Sequence, residues 1–499
     1  MLKRFSIGKL LSFLAIAFLF VDNAHAFIFG NPNTIPWRRS ASGVRDGNGS
    51  PGTLTWSIVP DGTSVDDGFQ DLGGSDLIEF LNENFDGDPN EADHTQQPWF
   101  SIFEESVGRW DELSGLSLVY EPNDDGGNDR TRRGILGTRG DIRISGASID
   151  GANGVLAFNF FPDSGGDMTI DTDDIGFATS TRNDFRFFRN TIMHELGHGF
   201  GLGHVVSDTD RLLLEPFTDN AIDGPQLDEI RAIQFFWGDA FEETNDGLGN
   251  QTFDLATPLG SLGANLPPLV VGADADGSSQ RVRADETDFV SISNEEDIDF
   301  FSFNITTNAS LTAELTPHGG EFDQSGEGGT PTFFDANARS DLALTIFDTD
   351  GTTILDFADD TAAGESELLE GIELVPGEYF ASISGAENTV QLYSLDLSIV
   401  PLLTENLRPG DYNLDGIVDA ADFTVWRDLL DVPIADALAA DGNLDGDVDE
   451  EDYQIWLDNF GNVYPNDGNV AAVPEPNANA MFLAAVILFS RWRRRRRCP

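Results

Sequence analysis

Residues 190–204 read NTIMHELGHGFGLGH, and no other stretch restricts the backbone so tightly. His194 and His198 are four apart, so in a helix both imidazoles lie on one face and can reach one metal ion. Glu195 follows the first histidine along the same edge, placed to hold a metal-bound water and not the metal. Gly201 permits the sharp turn that ends the helix. The chain then brings in His204 as a third nitrogen ligand. Three protein nitrogens leave a fourth position open for water, as a catalytic zinc requires. Such a water has a pKa lowered to about 7, and Glu195 is suited to move its proton. The chain has six histidines, and three fall in this motif.

At 499 residues the chain is too long for a single core, so a multidomain protein is expected. With 52 Gly and 23 Pro, loop-rich β structure should outweigh long helices. Asp plus Glu total 87 against 28 Lys plus Arg, a formal charge of −59. That balance argues against nucleic acid, because phosphate binding needs clustered cations. It suits calcium or a solvated acidic surface. The one cysteine, Cys498, allows no internal disulfide, which leaves core burial and metals to hold the fold.

Residues 1–26 read as a signal peptide. Lys3, Arg4 and Lys9 precede an apolar run from Leu10 to Val21, and Ala24-His25-Ala26 is a small-x-small cleavage site, placing the mature start at Phe27. At the other end, 473–499 combine Val473-Pro474-Glu475-Pro476, an apolar stretch from Met481 to Phe489, and Arg491 with Arg493 to Arg497. This tail resembles the bacterial PEP-CTERM sorting signal. The resemblance implies an exosortase-type processing enzyme, a secreted protein at least transiently at the cell envelope, and membrane association only through the tail before processing.

The zinc motif and its surroundings resemble the metzincin metallopeptidases, more narrowly the matrixins, over nearly all of 53–240 within a segment 27–240. Leu54 to Val59 matches the first strand, Trp99 to Leu113 the first long helix and Asp141 to Ile144 the third strand. Asp150-Gly151 to Ala157 with Gly165 to Asp174 matches the loop and edge-strand region, and Asp228 to Gly238 the closing helix. The resemblance implies an α/β domain with a twisted mixed sheet above the active-site helix. Its substrate would be a protein or peptide lying extended along an edge strand at Gly154 to Phe160. Glu195 would be the catalytic base, with one zinc on His194, His198 and His204. Leu214 stands where the family carries the methionine of a turn under the metal. Leucine has similar volume. Phe158 and Thr169 stand at positions of a second, structural zinc, so none is expected. Calcium is expected on Asp150, Asp171 and Asp174, and on Asp141 and Asp167, since these acids match the family's calcium sites.

Residues 245–400 alternate polar and apolar in Asp297 to Asn304, Ser310 to Leu315, Asp341 to Phe347 and Tyr379 to Ile383. The runs 297–303 and 374–380 resemble the bacterial pre-peptidase C-terminal domain, implying a β-sandwich. Residues 407–462 hold two copies of one pattern. The first offers Asp411, Asn413, Asp415, Ile417 by its carbonyl, Asp419 and Asp422. The second offers Asp441, Asn443, Asp445, Asp447 by its carbonyl, Asp449 and Asp452. Oxygens at this spacing around a glycine suit one calcium per loop. The pair resembles a type I dockerin, a small α-helical calcium-loop module, which implies a cohesin-type scaffold as partner. The leading reading is thus a metalloendopeptidase attached to a scaffold or surface. The alternatives are a non-catalytic adhesion protein built on a degenerate peptidase domain, and a glycan-degrading enzyme.

Overall fold

The structure, a computed structural model, describes residue 27 and residues 36–127, 133–207, 211–275, 281–402, 408–430, 440–442 and 448–464. The expected signal peptide and sorting tail lie outside the described residues, as do Asn443, Asp445 and Asp447. The chain divides into two compact units, Met1–Leu402 and Leu403–Pro499.

The first unit opens with a five-stranded sheet. Its order is Leu116–Tyr120, Gly52–Ile58, Ile142–Ala147, Met168–Asp171, Ala157–Asn159. The first four strands run parallel and the last is antiparallel at the edge. Leu54, Trp56, Ile142, Ile144, Met168 and Ile170 are all buried, as central parallel strands covered on both faces should be. Asp141 ties these strands together. Its carboxylate accepts from Thr55 N and Oγ1, Ala41 N and Gly134 N at 2.8–3.0 Å. Asp167 accepts from Arg143 N at 3.0 Å.

The ladder covers Ala157–Asn159 and is flanked by Leu156 O accepting Asp171 N and Phe160 N donating to Asp167 O, each at 2.9 Å, so the strand begins later than the expected Gly154 and reaches the expected Phe160. Before it the chain curls instead of extending. Gly151 and Asn153 take positive φ of 82° and 68°, and Asp150 Oδ1 accepts Val155 N at 3.0 Å. The same curl lays Asn153 N on Asp174 Oδ1 and Asp150 N on Asp171 Oδ2. The three acids expected at one calcium site thus face one loop. Each oxygen named here accepts a backbone amide.

The closing helix Leu227–Trp237 starts with a capping box, Gln226 with Glu229. Nearly all of it is buried, because the following module packs on its outer side. Gln226 exchanges hydrogen bonds with Val282, and Gln234 donates to Leu113 O and Phe289 O at 3.0 Å. Leu113, Leu227, Ile230, Val282, Phe289 and Leu392 form one apolar cluster across this junction.

That module is a pair of sheets. One runs Leu269–Val271, Gln391–Pro401, Ala309–His318, Glu367–Leu374, with Val290–Ile292 also on Gln391–Pro401. The other runs Ile354–Ala358, Leu342–Phe347, Gly377–Gly385, Ile298–Ile305, Thr257–Leu262. Alternate residues point inward, so Leu311, Ala313 and Leu315 meet Phe301, Phe303 and Ile383 in the core. The alternating segments read from sequence fall on these strands. A hairpin, Glu321–Gly326 with Thr332–Asp335, leaves the sandwich and pairs with Val205–Ser207. No sequence pattern announced it.

In the second unit, helices Ala420–Leu429 and Glu450–Asn459 each begin with an Asp-x-x-Asp capping box, Asp419 with Asp422 and Asp449 with Asp452. Trp426 Nε1 donates to Asp449 O at 2.7 Å and Trp456 Nε1 to Asp419 O at 2.8 Å. The two halves thus hold each other reciprocally. In the first loop Asp411 accepts Asp415 N and Gly416 N, and Asp422 accepts Asn413 N. Of the second loop's expected ligands, Asp441, Asp449 and Asp452 are described, and Asp452 accepts Gly442 N at 2.7 Å.

Candidate functional site

The helix Arg186–Phe200 buries Phe188, Ile192, Leu196 and Phe200, four apart along one stripe. The stripe fixes how the helix rolls, and it turns the edge carrying His194, Glu195 and His198 toward the site. Glycines at 197 and 199 weaken the helix, so tertiary bonds pin it. Trp110 Nε1 donates to Met193 O at 3.1 Å, and Asn190 Nδ2 donates to Asp219 O and Ile222 O at 3.0 Å. Asp223 pairs with Arg186 and Arg189 at 2.9 and 3.1 Å.

Gly201 ends the helix at φ +108°, and Leu202 N returns to Gly197 O at 2.9 Å. This turn swings His204 back over the helix. The three imidazoles converge, with ring centroids 4.7–5.2 Å apart and His194 Nε2 at 3.2 Å from His204 Nε2. Each ring is held by its other nitrogen. His194 Nδ1 donates to Leu213 O at 2.7 Å and His198 Nδ1 to Leu202 O at 2.8 Å, while His204 Nδ1 donates to Glu327 Oε2 at 2.9 Å. With Nδ1 carrying the proton, each Nε2 presents a lone pair to the shared point. Three lone pairs crowded together without a proton between them fit a cation, and three imidazole nitrogens suit zinc. Burial first, and the neighbouring histidine second, pull His194 down to about 4, so it is neutral as a ligand must be.

Glu195 is buried, and burial pushes its carboxyl up to about 8, against the pull of the Asn159 backbone amide. It therefore sits beside the edge strand with a proton affinity near neutrality. Leu214 lies under the helix. A Cβ on Gly197 would come within 2.7 Å of Leu214 Cδ2, so a larger residue there would displace the Leu214 side chain. Leu214 N donates to Glu229 Oε1 at 3.1 Å, which ties this turn to the closing helix.

The sequence reading named the three histidines, Glu195 and Leu214, and the fold brings all five together. It missed Glu327, which lies 123 residues from its partner His204 and belongs to no local pattern. It also missed a second group, the buried carboxylates of Glu242, Asp297 and Asp299, whose oxygens lie within 4.8 Å of one another. Gln251 Nε2 bridges Glu242 and Asp297 at 3.0 and 2.9 Å, and Tyr393 OH donates to Asp299 at 2.6 Å. Its members are scattered among an acid-rich background, so sequence could not single them out.

Residues 90–238 match the Matrixin family of peptidases. A metalloendoproteinase, 2-MMP of Arabidopsis thaliana, is 27% identical over 146 residues, covering 28% of this chain and 36% of that protein. The chain thus spans about a third of that relative's length. Among solved structures, the pre-peptidase C-terminal domain of a collagenase from Bacillus anthracis aligns with 29% of this chain and 94% of its own, at 10% identity and a TM-score of 0.18.

Proposed function

We propose that the chain is a secreted zinc-dependent endopeptidase. The observation that carries this reading is the convergence of three imidazole Nε2 atoms beside a buried carboxylate on the same helix. The match of 90–238 to matrixins supports it. A zinc ion on His194, His198 and His204 would supply the Lewis acidity that activates a water and polarises the scissile carbonyl. Glu195 takes the proton of the attacking water on its carboxylate and returns it to the leaving amine. The edge strand Ala157–Asn159 ends its sheet, so its outer backbone groups can pair with an extended peptide. Leu214 gives the site the apolar floor that methionine gives the matrixins.

Export by the N-terminal signal, an envelope-sorted C-terminus handled by an exosortase-type enzyme, and attachment to a cohesin-type scaffold complete the proposal. The reciprocal, doubly capped helices of the second unit support a calcium-binding dockerin-like module. Calorimetric titration of the full chain should find calcium uptake that Asp411→Ala reduces; no uptake would remove this part.

The catalytic reading is tested by digesting a peptide library with the purified full chain. Internal peptide bonds should be cut, cleavage should stop with 1,10-phenanthroline, and zinc should restore it. Cleavage indifferent to the chelator would refute it.

A further inference from the structure

We propose that the hairpin 321–335 of the sandwich is a working part of the active site, and that Glu327 is a positioning residue acting through His204. The proposal rests on the reading of the three histidines as zinc ligands.

The strand Glu321–Gly326 pairs antiparallel with Val205–Ser207, placing Gly326 opposite Val205, the residue after the third ligand. At three residues, Val205–Ser207 is too short to hold its own course, and a pairing strand supplies what it lacks. Gly329 N closes on Gly326 O at 2.9 Å, and this turn carries Glu327 to the imidazole. The hairpin is anchored away from the site. Gln324 Nε2 meets Asp228 Oδ1 at 3.4 Å, and the Phe334 ring lies 5.3 Å from the Arg231 guanidinium and 4.5 Å from that of Arg339.

The contrast among the three ligands gives Glu327 its role. His194 and His198 are oriented by carbonyls of the catalytic segment itself, Leu213 and Leu202. His204 takes its orienting acceptor from the sandwich. A carboxylate on Nδ1 fixes the tautomer and the ring plane and makes Nε2 a better donor to metal. Outer carboxylates of this kind change metal affinity by about 10–100-fold. The Glu327 side chain is 54% exposed, so solvent screening places its effect at the low end. The sandwich is therefore more than a spacer. The third ligand and the chain beyond it are set by a segment outside the catalytic fold.

The test compares full-length wild type, Glu327→Gln and Glu327→Ala. Zinc affinity is read by competition with a chromophoric chelator, ligand geometry by the visible bands of the cobalt-substituted protein, and folding by the melting of the metal-free chain. Glu327→Ala should weaken zinc binding about tenfold and shift the cobalt bands. Glu327→Gln keeps an oxygen acceptor and should stay within about threefold. All three should melt alike without metal. Unchanged affinity and cobalt bands in Glu327→Ala overturn the positioning role. A lower metal-free melting temperature that Gln does not rescue marks a merely structural contact and overturns it too. If wild type binds no zinc at all, the zinc reading itself fails, which is a separate result.

Discussion

Leu214 fills the space beneath Gly197 with its side chain almost wholly buried, and its backbone amide is bound by Glu229. Two substitutions there separate packing from chemistry. Leu214→Ala opens a cavity under the helix that carries two ligands and should cost about 2–5 kcal/mol of stability. Leu214→Met conserves volume and should cost less than about 1.5 kcal/mol. Urea unfolding of the full chain checks both, and equal losses in the two variants would contradict the packing account. At this scale the three histidines were legible because their spacing is local: His194 and His198 share a helix face and Gly201 supplies one turn. Glu327 was not legible, because a bond across 123 residues depends on how the whole sandwich is placed.

The active-site helix and the turn after it behave as one element. Gly201 sits at φ +108°, where an L side chain is strained, and a Cβ would come 3.0 Å from Pro36 Cγ. Gly201→Ala should therefore destabilise by about 1–2 kcal/mol and weaken zinc binding, since the turn delivers His204. Urea midpoints and chelator competition measure the two effects, and a variant with wild-type zinc affinity would contradict the role given to the turn. The four alternating segments 297–304, 310–315, 341–347 and 379–383 fall on strands to within a few residues, because half-buried alternation marks them directly, whereas Leu116–Tyr120, Glu367–Leu374 and Gln391–Pro401 were not read. The edge strand was overdrawn because side-chain-to-backbone bonds from Asp150 bend the chain before it pairs, a competition that hydrophobic pattern does not record. The hairpin 321–335 went unseen because its partner strand lies in another part of the chain.

For the whole molecule, buried carboxyls collect at the junction between the first sheet's domain and the sandwich. Burial first, and the charges of their neighbours second, push Glu242 and Asp299 up; burial does the same for Asp239. Burial also raises Glu229 to about 8. A carboxyl with a higher pKa in the fold than in the open chain keeps its proton where the unfolded chain has lost it. Its contribution to stability is complete below the ordinary carboxyl range and is lost as pH rises through the folded value. The buried histidines pull the other way, but only below their ordinary value of 6.5. The melting temperature of the metal-free chain should accordingly fall between about pH 7 and about pH 9. A flat or rising profile would contradict this description of the junction. The interlocked junction itself was hidden from sequence, which suggested a boundary between 240 and 245, because the bonds of Gln226 and Gln234 reach residues more than 50 positions away, which no local pattern records.

The most direct test of the central claim pairs full-length wild type with Glu195→Ala, each assayed on casein after its zinc content is measured. Both should carry zinc on the three histidines, and hydrolysis should drop by about 10²–10⁴ in the variant, because only the proton carrier is gone. Equal activity in the two, or a zinc-loaded wild type that cuts no protein, would contradict the assignment of this site to peptide hydrolysis.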